Sequence, residues 1–270
     1  AADLVFRKLN NKNGDIINKF LDLLRSETDL DDEKIKPFTK EFKYYLDILT
    51  KFNFIDLDKS KLPVTKGKKV DGFRFYDIDG KAYPSVTSVL GIKKKAELQG
   101  WREKIGEDVA NWEMGRAARR GKATHLLVEE YLKGKTPSER GVLPLGLFKL
   151  LRPYIDQIDN IHLLETIMYS PKLTIAGQVD CVAEYNGKLS VIDFKTAKKV
   201  KPKEWIEDYF LQCSAYANAH NVMYGTNINQ IVILMVDRNQ EFKKFIAKDR
   251  EFDHYTNKWK QRLINFHKEL

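Results

Sequence analysis

Residues 177–195 read GQVDCVAEYNGKLSVIDFK, and this stretch decides the fold. Two runs rich in Val, Ile and aromatics flank Asn186-Gly187. That dipeptide suits a two-residue hairpin, because both central positions of the turn need positive φ. With Tyr185 and Lys188 as the closing pair, Glu184 faces Leu189, Val182 faces Val191, Asp180 faces Asp193 and Gln178 faces Lys195. Side chains alternate along a strand, so Asp180, Asp193 and Lys195 are expected on one face. Two carboxylates directly opposite stand about 5 Å apart, and at an effective dielectric of about 20 their repulsion costs roughly 3 kcal/mol. The alternative is a solvated hairpin whose acids align by chance. It fits poorly, because strands apolar on both faces are usually covered by helices, where unpaired carboxylates are costly. A divalent cation between the acids removes the penalty, and Lys195 adds a positive charge on the same edge.

The whole chain of 270 residues is long enough for one sizeable core, alone or with a small accessory region. A hydrophobic content of 43% suits a soluble globular protein, and a formal charge of +9 points to a polyanionic partner, of which nucleic acid is the commonest. Acids and bases nearly balance over residues 1–60, so the excess lies in the part that contains the hairpin. No apolar run approaches the roughly 20 residues of a membrane span and no secretory signal is visible, so neither membrane nor export is expected. Cys181 and Cys213 are too few for a ligand cluster and read as reduced, buried, small hydrophobes. No phosphate-binding G-x-x-x-x-G-K-[ST] occurs, which excludes an ATP-driven motor in this chain.

Outward from the hairpin, residues 14–26 and 36–52 have helical spacing and predict an N-terminal helical accessory region over 1–65, with a possible protein partner. Residues 58–72 read as a connector. Asp79-Gly80 predicts a second hairpin between 73–78 and 81–86, after which Ser85 or Thr87 either caps a helix or contacts phosphate. Helices are expected over 96–113 and 115–133. The second carries Arg116, Arg119, Arg120 and Lys122, candidate phosphate contacts, and then His125. Trp101, Trp112 and Tyr131 offer either stacking surfaces or core. A helix over 143–160, a strand over 163–169, a helix over 204–222, strands over 228–236 and 241–247 and a closing helix from 252 complete the reading. Lys198 and Lys199 sit in a lysine-dense loop after Lys195, placed for phosphate binding. Gln212 and Tyr216 lie at i and i+4 on one helix face.

Four motifs occur in order: Gly121–His125, Gly177–Asp180, Asp193–Lys195 and Gln212–Tyr216. Together they resemble the RecB-like branch of the PD-(D/E)XK nuclease superfamily, over about residues 73–270. The resemblance implies an α/β fold, a restriction-endonuclease-like central mixed β-sheet flanked by helices, with the nuclease domain at 66–270. It implies a Mg²⁺- or Mn²⁺-dependent deoxyribonuclease. Asp180 and Asp193 would hold the metal, with the Phe194 carbonyl and His125 completing the shell. Lys195 would act on the attacking water or the developing charge, and Gln212 and Tyr216 would position the strand. A glutamate near Glu165 recurs in the family, but no role is assigned to it. Some members carry a four-cysteine iron–sulfur cluster, which this chain cannot. The implied activity is exonucleolytic, on single-stranded DNA ends, in a bacterial cytoplasm or, secondarily, a mitochondrial matrix. A flap endonuclease is the nearest alternative. A non-catalytic recombination accessory module is a further one, but it has no use for an intact acid–acid–lysine set.

Overall fold

The structure, a computed structural model, describes residues 51–135, 138 and 140–269. The helices expected at 14–26 and 36–52 lie outside these residues, apart from Lys51 and Phe52. All elements below belong to one compact unit, Phe52–Leu132 with Pro137–Leu270. A small antiparallel sheet comes first: β1 (Gly67–Val70), β2 (Phe73–Ile78) and β3 (Lys81–Pro84). Helices α1 (Val86–Gly91), α2 (Lys95–Ile105), α3 (Glu107–Leu132) and α4 (Val142–Ile155) follow. Then come β4 (Ile158–Ser170), β5 (Ile175–Tyr185), β6 (Lys188–Ala197), α5 (Glu207–Tyr224), β7 (Gln230–Asp237), β8 (Phe242–Lys248) and α6 (Arg250–Glu269).

The five-stranded sheet runs β4-β5-β6-β7-β8 and is antiparallel except for β6 against β7. That parallel pair needs a crossover, which α5 supplies, and a parallel pair is normally covered on both faces. Every residue of β7 is accordingly buried. Val182, Val191, Ile231, Ile233 and Met235 pack on one face against α1, α5 and α6. Cys181, Ile192, Phe194, Val232 and Leu234 pack on the other against α3 and α4. The alternation expected of Cys181, away from the acids, is what the two packed layers require.

Both turn dipeptides adopt the expected geometry, with Asn186 and Gly187 at φ 51° and 74° and Asp79 and Gly80 at 53° and 74°. The β5–β6 register matches from Tyr185↔Lys188 to Cys181↔Ile192 and stops there. Gln178 therefore does not face Lys195. It pairs with Ile167 of β4 instead. Two other expectations are corrected. The helix break falls at Gly106, not near residue 114, because Gly106 alone in this region takes a positive φ, 87°. The 58–72 stretch contains β1, an edge strand whose four residues are all exposed and so carry no apolar periodicity.

On α5 His220 is fully buried, with Nδ1 against the Thr226 hydroxyl at 2.8 Å and the His162 ring 5.3 Å away, tilted by 44°. Burial, and then His162, push its pKa down to about 4. The unfolded chain therefore takes up this proton first. Stability should be full above pH 6.5 and fall toward pH 4, by on the order of 3 kcal/mol. Urea denaturation of wild type and His220→Gln across that range tests this; parallel pH profiles would assign the acid sensitivity elsewhere.

Candidate active site

Beyond Cys181↔Ile192 the two arms of the central hairpin part. β5 stays paired with β4 as far as Ile175, while β6 leaves to pair with β7 from Val191 to Ala197. The acids sit at this fork. Asp180 Oδ2 accepts the Phe194 N–H at 3.0 Å, which satisfies a backbone donor that lost its strand partner. Asp193 is 2% exposed and turns to Lys195, whose Nζ lies 2.7 Å from both of its oxygens. The Tyr209 ring covers Lys195 from 4.9 Å.

Helix α3 brings in His125. Gly121, one turn earlier, lies against β6, where a Cβ would make an ordinary contact with Thr196 Oγ1 at 3.5 Å. His125 Nε2 lies 2.7 Å from the Phe194 carbonyl, and Nδ1 lies 3.3 Å from Glu165 Oε1 and 3.7 Å from Asp180 Oδ2. Burial opposes a charge on His125, but Asp180 and Glu165 outweigh it and lift the pKa to about 9. Two carboxylates with one imidazolium between them are an anionic nest that calls for a cation. One ligand atom each from His125, Glu165 and Asp180 lies within 4.8 Å of the others. A nitrogen and two carboxylate oxygens at this spacing fit a divalent ion such as Mn²⁺ or Mg²⁺ once His125 gives up its proton.

Asp193 stands differently. Burial raises its carboxyl to about 6 while Lys195 pulls the other way. Burial also works against the Lys195 ammonium, but Asp193 and Asp180 hold it charged, above the ordinary lysine range. Asp193 is paired with Lys195, and Glu165 lies beside Asp180 and His125. Glu165 occupies the β4 position level with Asp180, between the pairs Leu164↔Cys181 and Thr166↔Val179, with φ at 48°. Gln178 Nε2 donates to its Oε2 at 2.7 Å.

On α5, Gln212 hydrogen-bonds Tyr216, which is buried beside Asp180. Burial first, then the Asp180 charge, raise the phenol well above its usual range. Gly177 is the floor beneath it, where a Cβ would fall 2.7 Å from the tyrosine oxygen.

The cationic candidates divide. Lys122 lines a cleft of about 570 Å³ with His125, Glu129, Glu165 and Arg74. Arg116 lies 4.4 Å over the exposed Trp112 ring, and Arg119 is exposed on the same helix. Arg120 is partly buried, its guanidinium disfavoured by burial and by the Arg238 and Arg116 charges. Lys198 and Lys199 are exposed on a loop pinned at Val200, whose N–H reaches Asp237 Oδ2 at 2.8 Å. Asp237 Oδ1 accepts the Asn239 and Glu241 N–H groups. Ser85 is buried and caps α1 through the Ser88 N–H, so of the two hydroxyls only Thr87 is exposed. Tyr131 is core, donating to Asp156 and packed edge-on to Phe52 and Phe148. Among the described residues no helix is long and apolar enough to cross a membrane.

The sequence profile of the PD-(D/E)XK nuclease superfamily matches residues 92–269. The chain belongs to that superfamily. The mitochondrial genome maintenance exonuclease 1 of Xenopus tropicalis is 31% identical over 204 residues, covering 68% of this chain and 57% of its own length. Its human counterpart is 31% identical over 202 residues, covering 68% and 58%. The chain thus spans a little under three fifths of the curated relatives it matches. A solved structure from Eubacterium rectale superposes with a TM-score of 0.40 at 8% identity over 56% of this chain and 66% of that one, a likeness too slight to bear on function. In a PD-(D/E)XK frame the sequence assigned no role to Glu165 and gave no notice of Arg74 or Arg238.

Glu165→Gln should weaken Mn²⁺ binding roughly tenfold or more in titration calorimetry; unchanged affinity would remove Glu165 from the metal set. Asp193→Ala leaves the largely buried Lys195, its side chain 19% exposed, without its acid and should cost up to about 3–5 kcal/mol in urea denaturation. A smaller loss would mean that water reaches the ammonium.

Proposed function

We propose that this chain is a divalent-metal-dependent DNA exonuclease that hydrolyses phosphodiester bonds at single-stranded ends. The observation that carries the reading is the fork itself: a metal-ready trio beside Phe194 and, next to it, a charged lysine clamped by Asp193. The relatives named above, both exonucleases by name, support the end-directed form of the activity. The mitochondrial address in those names is as compatible with a matrix enzyme as the sequence is with a bacterial cytoplasmic one.

Asp180, Glu165 and His125 would hold the ion, Mn²⁺ being the better match to a site with imidazole. Bound there, it would supply charge for the phosphate and a more acidic water. Lys195 keeps its proton and is held still by Asp193 and Tyr209, so it offers a fixed positive charge beside the reacting phosphate. Being always charged, it orients the attacking water or offsets the growing negative charge and does not take a proton. Tyr216 likewise stays protonated and can donate to a phosphate oxygen, with Gln212 fixing its hydroxyl. Lys122, Arg116, Arg119, Lys198 and Lys199 bind backbone without reading bases, so little sequence preference is expected.

End-labelled single- and double-stranded DNA, incubated with Mg²⁺, Mn²⁺ or chelator, provides the test. The expected result is metal-dependent loss of the linear single strand, with circular single-stranded DNA left intact. Lys195→Ala should lose at least about a hundredfold in rate while still retarding the strand in gels. Cleavage of the circle would convert the assignment to an endonuclease, and full activity of Lys195→Ala would remove that residue from the chemistry.

A further inference from the structure

Beside the metal cleft lies a second concavity that none of the four motifs explains. It measures about 340 Å³ and is formed by the β1–β2 turn region together with α1 and the start of α2. Phe73, Ile92 and Leu98 give it an apolar floor, and Lys69, Arg74 and Lys95 stand around it. Lys95 is poised 5.6 Å over the Phe73 ring. Lys94 also borders it but is paired with Asp208 at 2.6 Å, and Asp71 is the acid at its rim. Arg74 lines both this pocket and the cleft that holds His125 and Glu165, so the two hollows share a wall.

We infer that this pocket receives one unpaired base of a nucleic-acid strand whose neighbouring phosphate lies on Arg74 and whose backbone continues to the metal cleft. The inference rests on the nuclease reading above and deepens it. The volume is at the small end of the roughly 300–1,000 Å³ usual for small-ligand sites, enough for a base with its sugar and too little for a base pair. An aromatic and aliphatic floor under a cationic rim is the chemistry of single-strand binding, in which bases stack without being read and phosphates meet point charges. Phe73 is braced from behind by an edge-on contact with Phe266 of α6, ring centres 6.0 Å apart, so the floor is fixed before a base arrives. Thr87 is at the wall, which gives this exposed hydroxyl a phosphate or sugar to meet. A paired base cannot enter, so the pocket selects single strands at the mouth of the site.

Gly91 permits a test that does not weaken the fold. It borders the pocket in an ordinary helical conformation, φ −68°, and a Cβ there would meet nothing within 4 Å. Gly91→Leu therefore sets a bulky side chain at the edge of the hollow while favouring the helix over glycine. Fluorescence anisotropy with a labelled oligothymidylate, in chelator so that nothing is cut, reads the affinity. Gly91→Leu should bind roughly five- to hundredfold more weakly than wild type, with a melting temperature no lower. Strands carrying a single abasic nucleotide add a second reading. One position should weaken wild-type binding, and that loss should vanish in Gly91→Leu. Equal affinity of the two proteins, or an abasic effect that survives the substitution, overturns the pocket while leaving the nuclease reading intact. A wild type that binds no strand at all overturns both.

Discussion

The parting of two hydrogen-bonded strands is the event on which the site depends. A hairpin with an ideal turn would zip to its ends, but β6 is claimed by β7 on its other edge and β5 by β4. Where those competing ladders pull the arms apart, backbone donors lose their partners in a buried place, and each such loss is costly. Asp180 answers one of them by accepting the Phe194 N–H. The Phe194 carbonyl, in the next peptide unit, meets the His125 ring. The polar side chains at the fork thus do structural duty first, and their chemistry follows from where that duty leaves them.

Charge is then sorted within the site. Two carboxylates and a histidine share a nest at a cleft, and beside it the Lys195 ammonium is clamped by the buried Asp193 carboxylate under the Tyr209 ring. Removing one partner of such a pair is costly, because it leaves a poorly solvated charge without its counter-charge. The nest can therefore exchange a proton for a metal ion while the clamped pair stays as it is. The strand pleat sends Asp193 and Lys195 to one layer and Phe194 to the other, and the Phe194 carbonyl meets the histidine.

Much of this was readable in the chain because it is local. The Asn186-Gly187 and Asp79-Gly80 turns fix their own φ values, and the hairpin register follows by counting. The helix face that joins Gln212 to Tyr216 is a matter of period. Glu165 was not readable, since its place depends on how β4 registers against β5 and on a left-handed residue within a strand, neither of which has a sequence period. Gly106 was hidden among four glycines between residues 100 and 121, of which it alone takes a positive φ. Tyr131 looked like a possible stacking surface because aromatic residues at helical spacing serve core and interface alike; only the arrival of Phe52 and Phe148 makes it core. Strand β1 was missed because an exposed lysine-rich edge has no apolar face to betray it.

The buried Asp237 has a quieter consequence. With one oxygen it holds the loop that follows the ammonium-bearing strand, and with the other it gathers the turn leading into β8. The root of the lysine loop is thus fastened during folding, long before any polyanion is met. Such anchoring shifts the entropic toll of arranging several like charges away from encounter and into the assembly of the protein itself. For the nuclease proposed above, an incoming strand would then find part of its counterion shell already standing in rank.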